Sequence, residues 1–309
     1  MAITAPTKLS DFSGFITPEQ SAPIFADAQR QSVVQSLSPR VPLGASGQSI
    51  PIVTSRPTAN WTAEGVAKHK TSLGMSLANM VPKKLTAIAV ASTEVIRADP
   101  GAYSQVLRRE LAGAFATAFD YAALYDLGGD GTGSGPFDHW VNETTKRVEL
   151  GTASQASGGI HRDIVNGLSL LVNDGRKLRG FAFDDVVEPL FLRSTDSTGR
   201  PIYIDTPLDD TTTAAAQPGR LIGRPSFMGE GVASADGDTV GFGGNWSKTA
   251  WGVVGGISFR TSTEATVTIN GSLVSLFENN LVAILAEAEY GWVMADVEDF
   301  VAYDDENGS

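Results

Sequence analysis

Apolar side chains recur every three or four positions from Tyr103 through Leu107, Leu111, Ala114, Phe115, Ala118 and Ala122 to Tyr125, while Arg108, Arg109, Glu110 and Asp120 fall mostly off that stripe. The period predicts one long amphipathic helix. Asp99 suits its N-cap, and Pro100 suits its first position, where a fixed φ fits and the missing N–H would have had no partner. From Pro100 to Leu127 the rod would run roughly 42 Å at about 1.5 Å per residue, so it is expected to spine an elongated molecule. It leads into Gly128-Gly129-Asp130-Gly131-Thr132-Gly133-Ser134-Gly135. Here the helix precedes the glycines, whereas a phosphate-binding loop needs a strand, then glycines, then a helix N-terminus. Gly128, Gly129, Gly131, Gly133 and Gly135 therefore read as a hinge between two bodies.

Before the rod, Thr17-Pro18-Glu19-Gln20 matches a capping box, and Ile24, Phe25, Ala28 and Val34 form a short apolar face ended by Pro39 and Pro42. A single helix without a local partner must dock on something else. Alternation and β-branched content predict strands over Gln48 to Val53 and Lys84 to Ile96. Between them, Ser55 to Pro82 carries Trp61, Leu73, Met75, Leu77 and Met80 among Glu64, Lys68, His69 and Lys70. That is too little apolar content for a core, so the span reads as a long two-stranded excursion. An isolated hairpin is marginal in water, which puts its apolar residues on a neighbouring molecule.

After the glycines the pattern is mixed. Ile160, Ile164, Leu168 and Leu171 mark a helix ended by Asp174-Gly175; Gly180 to Phe183 reads as a strand and Val186 to Leu192 as a short helix. Asp205 to Gly219 reads as a polar loop, Asp236-Gly237-Asp238 as a turn, and Trp251 to Ile269 as a strand. Leu276 to Tyr290 fits two templates: Phe277, Leu281 and Leu285 a helix, Asn280, Val282, Ile284 and Ala286 a strand.

Composition narrows the function. The chain has 309 residues, 42 % of them apolar, enough for a core in two lobes. It has no apolar run of about 18 residues and no signal-peptide pattern, so a soluble protein made in the cytoplasm, without a membrane partner, is expected. The absence of cysteine excludes disulfides, thiolate metal sites and cysteine nucleophiles. A net charge of −12 and a pI near 4.7 argue against a tight nucleic-acid surface. Lys83-Lys84, Arg108-Arg109 and Arg176-Lys177 read as solvated charges at element ends; Asp209-Asp210 and Asp304-Asp305-Glu306 read as loop and tail solvation. His69, His139 and His161 lack metal-ligand spacing, and Gly131 to Gly135 follows a helix, the wrong context for a nucleophile elbow. Neither a metal nor a cofactor is expected. The residues favour a non-enzymatic assembly protein.

Several short motifs occur in a telling order: Ser32-Val33-Val34, Ile50-Pro51-Ile52-Val53, Ala63-Glu64-Gly65, Pro82-Lys83-Lys84-Leu85, Ser92-Thr93-Glu94, Asp120, the glycine exit, Gly223-Arg224-Pro225, Gly244-Asn245-Trp246 and Ala295 to Val301. Taken together the chain resembles tailed-bacteriophage major capsid proteins of the Hong Kong 97 fold, over essentially its whole length. The resemblance implies an α+β fold with an N-terminal arm (1–47), an extended loop, or E-loop, with its flanking strands (48–84), a peripheral domain (85–135 and 250–290, spine helix 100–127) and an axial domain (136–249 and 291–309). It turns Leu276 to Tyr290 into a strand. It implies pentamers and hexamers that close into an icosahedral shell around double-stranded DNA held without sequence-specific contacts, in a virion assembled in the bacterial host cytoplasm. Trp61, Leu73 and Met75 become contacts between subunits. Portal, scaffolding and decoration proteins are the implied partners; Met1 at the head of the arm points to scaffolding as a separate protein. Some family members join subunits through an isopeptide bond, and here the matching residues are Lys68 in the E-loop, with Lys70 as its rival, Asn280 as acceptor and Glu287 as a base of raised pKa. The competing readings are an encapsulin-type shell and, from another class, an acidic β-rich binding module or hydrolase.

Overall fold

The computed structural model describes residues 32–98, 103–154, 158–193, 203–205, 217–229 and 231–305. In chain order its elements are α1 (Val33–Leu37), β1 (Gln48–Ser55), β2 (Gly74–Met80), β3 (Lys83–Ser92), α2 (Thr93–Ala98), α3 (Tyr103–Tyr125), β4 (Arg147–Leu150), α4 (Gly159–Asn173), β5 (Gly180–Phe183), α5 (Glu188–Arg193), β6 (Tyr203–Asp205), β7 (Gln217–Leu221), β8 (Arg224–Met228), β9 (Thr239–Gly244), β10 (Thr249–Ser262), β11 (Thr266–Ile269), β12 (Ser272–Ser275), β13 (Leu281–Met294) and β14 (Phe300–Asp305).

Two sheets organise the molecule. The antiparallel sheet β10-β13-β3 carries α3 on one face, and the mixed sheet β4-β14-β9-β5-β8-β7-β6 carries α4. On β13 the alternation points Ala286, Ala288 and Tyr290 at the rod, the two alanines leaving room for Phe115 and Phe119. The Phe119 ring lies 5.4 Å from Tyr290, 5.9 Å from Phe137 and 6.1 Å from both Trp251 and Trp292. The same core runs on into Phe242, Trp246 and Phe300 of the larger sheet's side, so the two sheets share one apolar centre. A second core beneath α4 gathers Ile164, Leu171, Phe181, Phe183, Phe191 and Tyr303. There Gly167 is required by contact: a Cβ on it would stand 2.8 Å from the Tyr303 ring carbon that bears the hydroxyl.

The rod differs from its expected span. Its C-terminal half, from Phe115, is mostly buried, whereas residues 105–112 are half-buried or exposed. It ends at Tyr125 because Asp126 turns left-handed, with φ 54°. Asp99 and Pro100, its expected cap, lie outside the described residues, as does the capping box at Thr17 to Gln20.

Other boundaries moved for local reasons. The Ser92 hydroxyl accepts the Val95 N–H, so Thr93 to Ile96 belongs to α2 and the expected strand stops early. The Ser262 hydroxyl accepts the N–H groups of Glu264 and Ala265, which breaks Trp251 to Ile269 into β10 and β11. β11 and β12 form a hairpin through Asn270 and Gly271, both at positive φ. β13 pairs on both edges, which settles Leu281 to Tyr290 as strand, preceded by a turn. Residues 206–216 of the expected polar loop lie outside the description, and its ends, β6 and β7, pair.

Two charge groups are structural where solvation was expected. Arg176 pairs with Asp296 and with fully buried Asp299, which Lys248 also contacts. Asp304 sits in β14, paired with Arg147 and accepting the Thr239 hydroxyl. Among the described residues, no helix is long and apolar enough to cross a membrane, and no group of histidines and carboxylates could hold a metal ion.

Candidate assembly surface

The β1–β2 ribbon is apolar on both faces near its root. Its register puts Pro51 opposite Leu77 and Val53 opposite Met75, on one face. The other face carries Ile50 and Met80, which pack with Val41, Leu43, Ala250 and Val293 of the same chain. Gly291 makes that fit possible, since a Cβ there would come within 2.6 Å of Met80 Cγ. Among the described residues the Pro51/Leu77 face has no such cover: Val53, Met75 and Leu77 are 51 %, 58 % and 68 % exposed. Farther out, Leu73 is exposed and Trp61 wholly so. Thr58 holds the two arms of the tip together, its N–H donating to Thr71 Oγ1 at 2.8 Å and its hydroxyl 3.0 Å from His69 Nε2. Lys68 beside it is exposed.

Asn280 occupies the turn before β13 at φ 56°, a left-handed conformation that asparagine tolerates better than most residues. α2 grips it from the side. The Thr93 N–H and hydroxyl donate to the Asn280 carbonyl at 2.9 and 3.0 Å, and Asn280 Nδ2 donates to Glu94 Oε1 at 3.0 Å. Phe277, in the same turn, is 77 % exposed.

Glu287 lies seven residues along β13, about 23 Å away at about 3.3 Å per residue. It points to the face opposite α3, where Lys84 Nζ lies 2.5 Å and Arg260 4.0 Å from its carboxylate. The hydrogen bond from Lys84 holds its pKa below the usual carboxylate range, with the two charges adding to the effect. The raised pKa expected of Glu287 is thus absent within one chain, because a cation faces it. One chain does not bring Lys68, Asn280 and Glu287 together.

The glycines after α3 fold back on themselves. The Gly128 N–H donates to the Thr132 carbonyl, the Gly131 N–H to the Gly128 carbonyl and the Gly135 N–H to the Asp126 carbonyl. Asp130 accepts the N–H and hydroxyl of Thr132, and Leu127 pairs with Ser134. Gly131 and Gly133 have positive φ. Gly128 and Gly135 are needed for a different reason: a Cβ would stand 2.5 Å from the Thr132 carbonyl oxygen or 2.7 Å from the Asp126 carbonyl carbon.

The arm docks on the rod. Buried Asp120 accepts the Ser32 hydroxyl and the N–H groups of Val33 and Val34, so α1 begins on a carboxylate from α3. Val33 and Val34 insert beside it into the main core. Val53, Leu273 and Phe277 are exposed apolar residues, and Glu94 holds a partner, that periodicity and motif alone do not single out. Strand alternation could have shown Val53 facing away from Ile50 and Ile52; nothing local links Glu94 to a residue 186 positions on.

The phage capsid family profile matches residues 13–305. A protein described as probable major capsid protein gp17 of Mycobacterium phage D29 is 39 % identical over 298 residues, covering 94 % of this chain and 90 % of that protein. Its counterpart of Mycobacterium phage L5 is 38 % identical over 309 residues, covering 96 % and 91 %. Among solved structures, a chain from Gordonia phage Cozz superposes with a TM-score of 0.72 at 23 % identity, covering 96 % of this chain and 93 % of that one. A chain described as the capsid of an empty GTA particle gives 0.63 at 14 %, covering 96 % and 97 %. The shared α+β architecture is the capsid fold.

Proposed function

This chain belongs to the phage capsid family, and from that premise we propose that it is the major capsid protein of a tailed phage, forming pentamers and hexamers that close into an icosahedral shell around double-stranded DNA. The observation that carries the reading is the β1–β2 ribbon: one face is packed on its own chain and the other, Pro51, Val53, Met75 and Leu77, is apolar and uncovered. Near-total coverage of relatives described as phage major capsid proteins favours a DNA-filled shell over an encapsulin's protein-filled one. No enzymatic role is assigned. Scaffolding, portal and decoration proteins are the further partners, and the host cytoplasm the place of assembly.

On this reading 85–135 with 250–290 is the peripheral domain, 136–249 with 291–309 the axial domain, and Gly128 to Gly135 the hinge between them. Trp61, Leu73 and Met75 lie against a neighbouring copy. Lys68, or Lys70 in its place, forms an isopeptide bond with Asn280 of a neighbour; the exposure of Lys68 and of Asn280 supports that pairing. The resemblance offers Glu287 as the base, a role open to it only where assembly draws Lys84 away from it.

Electron microscopy of purified particles tests the main reading. Closed shells with dense nucleic acid are expected; cages filled with protein, or a stable monomer, overturn it. Denaturing gels test the bond: covalent ladders lost in Lys68→Ala support it, and monomer bands alone end it.

A further inference from the structure

The turn that presents Asn280 is built more like a reactive site than a strand end. Three hydrogen bonds from or to α2 fix a residue already held in the left-handed region, and one of them joins the carboxamide nitrogen to a carboxylate. A strand end needs none of these to start β13, which is already paired on both edges. Glu94 is exposed, so the carboxamide it holds can be approached from outside the chain. Phe277 and Leu273, 77 % and 78 % exposed, give this end of the molecule apolar surface that a neighbour's side chain would dry on arrival. Glu287, the carboxylate matched by resemblance, is about 23 Å off along the strand and engaged with Lys84.

We propose that Glu94, hydrogen-bonded to Asn280 Nδ2, is the catalytic base and proton carrier for isopeptide formation at Asn280. This rests on the cross-linking reading above. Lysine arrives as the neutral amine, having given its ammonium proton to solvent. Its Nζ lone pair attacks Asn280 Cγ, a C–N bond forms, and the carbonyl π pair moves onto Oδ1. Glu94 takes the proton that Nζ sheds and passes it to Nδ2, the atom it already contacts. The Oδ1 pair then re-forms the carbonyl, the Cγ–Nδ2 bond breaks and ammonia leaves. Atoms balance with no redox partner: amine plus carboxamide gives amide plus ammonia. Thr93 is a positioning residue, since it holds only the Asn280 backbone.

The test uses full-length particles of wild type, Glu94→Gln, Glu94→Asp and Glu287→Gln, scored for shells by electron microscopy and for covalent multimers over time on denaturing gels. Glutamine keeps an acceptor for Nδ2 but cannot take a proton, so Glu94→Gln shells should form and cross-link at least about 100-fold more slowly. Glu287→Gln decides between the two carboxylates, a smaller slowing than that of Glu94→Gln supporting the assignment and an equal or larger one overturning it; the residual Glu94→Gln rate should climb with pH as solvent base replaces the missing carboxylate. Wild-type ladders matched in rate by Glu94→Gln overturn the role of Glu94 and leave cross-linking standing. Unjoined wild-type subunits overturn both. If Glu94→Gln forms no shells, Glu94→Asp decides, because its carboxylate sits one methylene farther from Nδ2: slowing of about tenfold supports the assignment, and an unchanged rate overturns it.

Discussion

Single carboxylates hold distant pieces of this chain in place. Asp120 ties α1 to α3, and Asp184 accepts the N–H groups of Gly231, Val232 and Ala233, fixing the path into β9. Each is buried, so its acceptors matter more than the same contacts would at a surface. Replacing Asp120 by asparagine removes the charge and one acceptor while α1 keeps its donors. Asp120→Asn is expected to cost about 2 kcal/mol and to open the arm before Gln48 to protease; unchanged melting and digestion would contradict the clamp. Such pairings were out of reach of sequence reasoning. Asp120 was visible as a polar position off an apolar stripe and as one of the matched motifs, neither of which names its partners, 86 to 88 residues away.

Elements were legible where one face is buried against a regular neighbour. The second half of α3 shows its period because the sheet beneath is continuous, and α4 shows its own for the same reason, whereas β1 shows by the alternation of Ile50 and Ile52 and β5, buried at all four residues, as a short apolar run. Legibility failed where a hydroxyl or a glycine ends an element against its own propensity, as Ser92 and Ser262 do. β10 hides another case. Val254 pairs with Glu289 and Ser258 with Glu287, so β10 spends four steps on two of β13, and the surplus is taken up around Gly255 and Gly256 at φ 69° and 91°. Both glycines have open space around them, so Gly255→Ala should cost only about 1 kcal/mol of backbone strain. Gly135→Ala meets backbone at 2.7 Å and should cost more, about 2 kcal/mol. Thermal melting of the two variants separates them, and a reversed order would refute the steric account. Amide exchange probes the glycine segment itself: a hinge requires the Gly128, Gly131 and Gly135 amides to exchange well before those of α3.

Across the whole molecule, the two sheets are joined by a belt of charges as well as by the shared apolar centre. Lys146 reaches Asp174 and Glu298, Arg176 reaches Asp296 and Asp299, and Lys248 reaches Asp299. The hydrogen bond from Lys146 holds Asp174 below the usual carboxylate pKa; at Asp296 and Glu298 burial pulls upward and the bonds from Arg176 and Lys146 outweigh it. Depressed carboxyl pKa values stabilise the fold above the unfolded values, near 4, and that contribution is lost as pH falls through the lower folded ones. The melting temperature should hold from pH 7 to about 5 and drop below about 4. Arg176→Met strips buried Asp299 of one of its two cations and Asp296 of its partner and should cost about 3 kcal/mol at pH 7, with the Asp296 share of the gap to wild type fading towards pH 3. A gap that stays constant with pH would show the belt to be inert.

The two-sided ribbon also sets how this chain behaves before it finds its fellows. With Pro51, Val53, Met75 and Leu77 uncovered on a paired, slender projection, the free subunit offers the surface by which chains stick together indiscriminately. Recombinant production should therefore yield either particles or precipitate, with little soluble chain between. A Met75→Lys, Leu77→Glu double variant, altered only on the face its own fold leaves bare, is the route to a monodisperse subunit in solution.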